Sequence, residues 1–396
     1  MRHLMMILFA CVAFPAAARP PSLVPGDAPA LAPPGALPVG VRELTFDAAS
    51  AADGPRRSLG LTLFYPAATR GKPTTYPHIT ANPPAGFPAK LVFEAIATRD
   101  SAPAKGPKLP LVLLSHGLGR WSTAMSGMAE NLASKGYIVA SIDHDDTGAM
   151  DPAKRLQVFA TAYARRSRDQ RAAIGFLTRL ATTADPLASR IDTNNIAVIG
   201  YSMGGYGALA TGGAGHDPKA SLTAQLPPGT MDGVLEGVAP APGIRALVLI
   251  APWGGLAPVR SFTANALKRI TIPSLWIMGD KDDVAGTAGI QWLYDQSSAS
   301  DRHLLVFANA RHNLGGNPPP VSAPDTGRLR DAIDEPVWRK DMADAIIFHT
   351  LTAFLGQQLK GDAGKAQWLN AAPDGTLKGF QSRWQLGISL THAAAQ

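Results

Sequence analysis

A chain of 396 residues, 46% hydrophobic and 17% charged, suits one large α/β domain with insertions, or at most two domains. Its net charge of +7 comes from scattered Lys and Arg, with local clusters such as Arg165-Arg166-Ser167-Arg168. These read as solvated surface with a weak preference for anionic partners. No basic run is interleaved with aromatic residues, which excludes a stripe built to grip nucleic acid.

In chain order, Met1 to Ala18 has the three parts of a secretory signal. Arg2 and His3 are the positive start, Leu4 to Phe14 the apolar part, and Ala16-Ala17-Ala18 an A-x-A cleavage site. The apolar part is short for a membrane helix, and no later apolar run is long enough, so no stable membrane insertion is expected. The mature chain is read as periplasmic or secreted. The one cysteine, Cys11, lies inside this leader. Leu8-Phe9-Ala10-Cys11 is only faintly like a lipoprotein box, because Phe9 is bulky there and the cysteine comes early. Cleavage after Ala18 leaves no cysteine and no disulfide.

Residues 19–40 are rich in Pro, Ala and Gly and read as a linker unable to pack a core. One domain over 41–396 follows. Structure is expected to begin with a partly alternating strand at Val41 to Phe46 and a clearer one at Leu59 to Tyr65, ended by Pro66. Residues 66–108 hold many prolines and read as loops with a short helix near Ala89 to Ala97. Leu109 to Ser115 is the continuous apolar run of a buried parallel strand, ending in His116-Gly117-Leu118-Gly119. Ser122 to Ser134 reads as a helix and Tyr137 to Ile142 as the next strand. Tyr163 to Thr182 is a long helix with Ile174, Leu177 and Leu180 on one face. After the strand Ile196 to Ile199 and its helix, residues 212–244 look like an insertion. Strands at Arg245 to Ile250, Ser274 to Met278 and His303 to Phe307 complete the set. Gly289 to Gln296 and Val337 to Leu359 read as helices. Strands alternating with helices predict a doubly wound, mostly parallel sheet with helices on both faces and an antiparallel start. No internal repeat is present.

The chemistry centres on Gly200-Tyr201-Ser202-Met203-Gly204, a G-x-S-x-G set between an apolar strand and a small-residue helix. Such a turn lifts the Ser202 hydroxyl above the sheet, and the flanking glycines make room where strand and helix nearly touch. The Met203 amide points where an oxyanion would form. A serine nucleophile needs a base, and the base an orienting carboxylate. His312 follows the strand at His303 to Phe307, and Asp282 follows the strand at Ser274 to Met278. The chain order Ser, Asp, His is that of α/β sheets carrying this elbow. Asp280 and Asp283 stand beside Asp282; the spacing G-x-x-D from Gly279 selects Asp282 and leaves the others as solvated turn carboxylates. The His116 to Gly119 loop is placed to supply a second oxyanion amide, counted to Leu118. Trp253, in Ala251-Pro252-Trp253-Gly254 one strand past the elbow, is read as a wall for the acyl or alcohol part of a substrate; the alternative is a core residue plugging the top of the sheet. Asp143-His144-Asp145-Asp146 reads as a polar strand end rather than a metal site, with no H-E-x-x-H and no Cys pair nearby.

SHGLG, GYIVASIDH, RIDTNNIAVIGYSMGGYGAL and GDKDD with a following RH together resemble the platelet-activating-factor acetylhydrolase-like and predicted dienelactone hydrolase branch of the α/β-hydrolases. The likeness runs from about Val41 to the C-terminal helix. It implies the α/β-hydrolase fold and a Ser-His-Asp carboxylic-ester hydrolase that needs no cofactor, with Ser202, Asp282 and His312 as triad and the Leu118 and Met203 amides as oxyanion hole. Dienelactone hydrolases carry a Cys nucleophile where this chain has Ser202. The acetylhydrolases usually read G-H-S-F-G, against Tyr201 and Met203 here. Ser202-Met203-Gly204-Gly205 with Ala251-Pro252-Trp253 is instead similar to cutinase-like polyester hydrolases, which have an aromatic in place of Leu118 and usually a disulfide. Segments 66–108, 144–165 and 212–244 exceed such compact enzymes and are expected to roof the cleft like lids. The expected substrate is a small-molecule or polymeric ester. The same triad would also serve amide or peptide hydrolysis, and a non-catalytic binding protein on this fold is the reading from another class.

Overall fold

A computed structural model of the chain describes residues 25–396. The expected leader over 1–18, with Cys11, lies outside them. The chain opens with β1 (Val39–Ala49) and β2 (Arg56–Pro66), an antiparallel pair. A small hairpin of β3 (Thr75–Ile79) and β4 (Lys90–Glu94) and the two-residue β5 (Thr98–Arg99) follow. Then comes the alternating run: β6 (Leu109–Ser115), α1 (Ser126–Ser134), β7 (Ile138–Asp143), α2 (Arg155–Leu180), β8 (Ile191–Tyr201), α3 (Met203–Thr211) and β9 (Ile244–Ile250). It continues through α4 (Ala264–Lys268), β10 (Ser274–Gly279), α5 (Thr287–Gln296) and β11 (Arg302–Phe307). The chain ends with α6 (Gly327–Ile333), α7 (Lys340–Lys360), α8 (Ser382–Gln385) and β12 (Ile388–Ala393).

The large sheet has ten strands in the order β12-β11-β10-β9-β8-β6-β7-β2-β1-β5. Its centre, from β7 through β11, is parallel, because each strand there is followed by a crossover that returns the chain in the same direction. Leu111 to Leu114, Ile196 to Ile199 and Ala246 to Ile250 are buried on both faces, as their unbroken apolar runs require. Helix α2 packs on α3 and α1 on α7, with each pair also against the sheet. The strand order reverses between β6 and β8, the switch point at which such sheets open a crevice at their carboxyl ends. The doubly wound, mostly parallel α/β sheet is the one expected from the sequence.

Four differences from the expected elements have a clear physical reason. The expected helix near Ala89 to Ala97 is a strand, because Leu91 and Phe93 alternate with exposed Lys90 and Glu94 and pair with β3. Buried Glu130 ties this region down, accepting from the Tyr76 hydroxyl and the Ile96 and Ala97 amides. Helix α2 begins at Arg155 and not at Tyr163; its first three residues are exposed and carry no apolar periodicity. Strand β12 adds an antiparallel edge beyond β11; exposed Ser389 and His392 hide it from an apolar scan. Finally, the described part of the Pro/Ala-rich stretch is docked. Ala32 is fully buried, Leu31 N–H donates to His349 Nδ1 at 3.1 Å, and the Ala30 amide reaches Gly379 O at 2.9 Å.

Lys135 joins that docked stretch to the domain. Its Nζ donates at 2.7 Å each to Leu31 O, Asn131 Oδ1 and Thr352 Oγ1. Three neutral acceptors satisfy its hydrogens without neutralising its charge. Burial, then the charges of Lys360 and Lys365, lowers its pKa to about 7. An unfolded lysine titrates near 10.4, so between these values the unfolded chain binds more protons and Lys135 makes stability rise with pH. The melting temperature of the wild type, measured against Lys135→Met, is expected to climb from pH 7 to pH 10. A difference that stays flat across that window would contradict the buried, charge-unpaired lysine.

Candidate active site

Ser202 stands between β8 and α3 with φ 53° and ψ −114°, a left-handed backbone that a non-glycine residue adopts at a cost of about 1–3 kcal/mol. The turn is pinned on both sides of its Cα. Ser202 N–H donates to Ile250 O at 2.9 Å, and Ser202 O accepts from Tyr206 and Trp253 amides at 3.0 and 3.1 Å. The glycines are there for space: a Cβ on Gly204 would sit 1.9 Å from Ser115 O, and one on Gly200 would sit 2.3 Å from Gly204 O.

His312 reaches this serine from the loop after β11. Its Nε2 lies 2.9 Å from Ser202 Oγ and its Nδ1 2.7 Å from Asp282 Oδ2. With Asp282 ionised, Nδ1–H donates to the carboxylate and Nε2 is free to accept the Ser202 proton. Burial raises the Asp282 pKa, but the His312 hydrogen bond and charge, with the Ala285 and Val284 amides on Oδ1, outweigh it and hold it below the ordinary value. The other two carboxylates go elsewhere: Asp280 Oδ1 caps the Asn309 amide at 2.7 Å, and exposed Asp283 pairs with Arg311.

Three side chains that the sequence reading passed over hold the His312 loop. The Tyr201 hydroxyl donates at 3.2 Å to His312 O or Asn313 Oδ1, and burial pushes its pKa up to about 12. Buried Glu335 takes the Arg311 amide on both oxygens, and Lys340 Nζ donates to Leu314 O. The residue just before Ser202 thus fixes the loop of His312, a contact made across 111 residues of sequence.

A cavity of about 760 Å³ opens on Ser202 and His312, lined also by Gly117, Leu118, Tyr201 and Val284. Among the described residues, neither the Leu118 nor the Met203 amide meets a protein acceptor. Trp253 is not among the residues lining that cavity. Its ring is half-buried and set edge-to-face on Phe159 and Tyr206, with centroids 5.3 and 5.6 Å away, while its amide braces the elbow.

The cluster Arg165-Arg166-Ser167-Arg168 is not plain solvated surface. Arg166 and Ser167 are buried, because this face of α2 packs on α3, with Arg166 and Gln170 against Gly207. Arg166 pairs with Asp146, and Gln170 Nε2 donates to Gly204 O at 2.9 Å. The polar end of β7 lies partly inside the protein, where His144 and Asp146 are buried. His144 bridges Ser115 Oγ at 2.8 Å and Asp169 Oδ2 at 3.0 Å. No group of three His, Cys, Asp or Glu among the described residues is arranged to hold a metal ion, and no described helix is long and apolar enough to cross a membrane.

A family described as PETase, PET hydrolase-like, matches residues 103–231, which carry the His116 to Gly119 loop and the elbow. The chain is 24% identical over 203 residues to cutinase est1 of Thermobifida alba, covering 51% of this chain and 52% of that one. It is 24% identical over 229 residues to a bis(hydroxyethyl) terephthalate hydrolase of Streptomyces coelicolor, 57% of this chain and 56% of that one. A 44-residue stretch is 48% identical to platelet-activating factor acetylhydrolase of Bos taurus, 11% of this chain and 10% of that one. The chain thus spans about half the length of the first two relatives and a tenth of the third. The matches agree with the sheet and bear out the likeness to the α/β-hydrolases read from the sequence motifs.

The two neighbouring carboxylates give a direct test of the geometry. Asp282→Asn should slow phosphonylation of Ser202 by a fluorophosphonate by orders of magnitude, about 10⁴ on the protease example of a lost orienting aspartate. Asp283→Asn, which loses only an exposed pair with Arg311, should leave the labelling rate within a factor of about two. Equal slowing by both would mean that Asp282 does not orient His312.

Proposed function

We propose that the protein hydrolyses carboxylic esters through an acyl-enzyme on Ser202. The observation that carries this reading is the unbroken chain Asp282 to His312 to Ser202, with links of 2.7 and 2.9 Å. In this reading His312 Nε2 takes the Ser202 proton as Oγ attacks the ester carbonyl. Asp282 holds the imidazole in the tautomer that can do so and stabilises the imidazolium that forms. The Met203 and Leu118 amides donate to the oxyanion; one such donor contributes about 2.7–4 kcal/mol to the transition state in a protease of this type. His312 returns its proton to the leaving alcohol, then draws one from water, which attacks the acyl-enzyme. No step calls for a metal or a cofactor.

The PET hydrolase-like family match and the cutinase and bis(hydroxyethyl) terephthalate hydrolase relatives support a polyester, or a small ester of an aromatic acid, as the substrate class. Trp253 is kept in this reading as a wall for the acyl or alcohol part, since its own amide donates to Ser202 O beside the site while its ring, packed on Phe159 and Tyr206, is only half-buried. Export rests on the secretory pattern of residues 1–18.

Replacing Ser202 by Ala should cost about 10⁶ in turnover of an aryl ester, the scale set by loss of a serine nucleophile in a protease, with the melting temperature nearly unchanged. A variant that kept a tenth of the activity would remove Ser202 from the reaction. Trp253→Ala should lower kcat/KM for bulky and aromatic esters more than for acetyl esters. A uniform loss across that panel, with a fall of about 3–5 kcal/mol in stability, would make Trp253 a core residue only.

A further inference from the structure

The buried polar cluster behind the Gly117 to Gly119 loop takes no direct part in the proposed reaction, yet two of its contacts govern the Leu118 amide. The Gly117 carbonyl and the Leu118 N–H belong to one peptide plane and point opposite ways. His116 Nε2 accepts the His144 amide at 3.3 Å, so the proton of the neutral ring sits on Nδ1, which donates to Gly117 O at 2.7 Å. Burial, then the charge of Arg166, lowers the His116 pKa to about 3, which keeps the ring neutral through the physiological range. That bond fixes the carbonyl end of the plane and thereby the direction of the Leu118 N–H.

The next peptide is held from the other side. Gly119 N–H donates to Asp146 Oδ1 at 3.1 Å, and Asp146 Oδ2 meets the Arg166 guanidinium. Asp146 is 3% exposed and Arg166 1%. Burying this pair is costly, and replacing such pairs by apolar groups is often neutral or stabilising, so the pair is weak evidence for a role in stability. Arg166 and Gln170 are one turn apart on the same face of α2, and Gln170 holds Gly204 O in the elbow. One helix face therefore grips both loops that carry the oxyanion amides.

We propose that Asp146, clamped by Arg166, is a positioning residue that sets the Leu118 amide in the oxyanion hole. The inference rests on the ester-hydrolase reading given above. A donor shifted by about 1 Å can cost about 10²-fold in rate, so the effect belongs on kcat and not on ground-state binding.

Two double variants of the full chain separate positioning from mere folding. Asp146→Asn with Arg166→Gln buries no charge and keeps a side-chain oxygen for the Gly119 amide. Asp146→Val with Arg166→Met also buries no charge but offers no acceptor. The apolar pair is expected to lose about 10–100-fold in kcat on an aryl ester, with KM within twofold. It should weaken inhibition by a trifluoromethyl ketone, whose serine adduct carries an oxyanion, by a similar factor. The amide pair should keep most of both. Equal kcat and equal ketone affinity in the two pairs would overturn the proposal. If the apolar pair fails to fold, Asp146→Ser with Arg166→Gln, whose hydroxyl is too short to reach the amide, replaces it with the same expected loss and the same overturning result. Wild-type protein treated with a fluorophosphonate separates the two levels. No adduct on Ser202 would remove the ester-hydrolase reading and this inference with it. An adduct in every variant, with unchanged kcat, would remove this inference alone.

Discussion

The site depends on one close approach, that of Gly204 at the start of α3 to the Ser115 carbonyl at the end of β6. A methyl group on Gly204 would lie 1.9 Å from that oxygen, so nothing larger than hydrogen fits. Because β6 ends there, the His116 to Gly119 loop that follows it lies directly over the elbow. The same contact therefore sets the distance between the Ser202 turn and the Leu118 amide. The strained backbone of Ser202 is tolerated because three backbone hydrogen bonds, to Ile250, Tyr206 and Trp253, hold it from the neighbouring strand end and helix.

Around this contact, the loops of the candidate site are held by side chains outside the Ser202, His312 and Asp282 chain. Tyr201 ties the elbow to the loop of His312, and Glu335 and Lys340 hold that loop from α7 and the segment before it. Gln170 does the same from α2 for the elbow, and Arg166, through Asp146, for the His116 to Gly119 loop. Loops supply the chemistry, and buried polar groups on rigid elements supply the geometry.

Much of this was legible in the sequence, for identifiable reasons. Buried parallel strands are unbroken apolar runs, so β6, β9, β10 and the buried second half of β8 stand out in the sequence, while the polar Asp192 to Asn195 hides where β8 begins; the glycines around Ser202 mark a turn whose crowding only glycine allows. The order Ser202, Asp282, His312 followed from which strand ends precede them. Half-exposed elements were not legible. The β4 strand reads as a short helix because its five alternating residues sit inside a proline-rich stretch, and β12 carries polar residues along its edge. The largest misreading was electrostatic. Arg166 looks like any surface arginine in Arg165-Arg166-Ser167-Arg168, and only the packing of α2 on α3 shows that its charge is buried against Asp146. Composition reports how many charges a chain has and is silent on which of them tertiary contacts remove from water.

The central claim is that an ester's acyl group passes through Ser202. Rapid acid quenching during turnover of a 4-nitrophenyl ester, followed by mass analysis of the peptides, tests it most directly. The mass of the acyl group is expected on the peptide that contains Ser202, present during turnover and absent once substrate is exhausted. Turnover with the acyl group on another residue, or with Ser202 unmodified at every time point while burst kinetics demand a covalent intermediate, would contradict it.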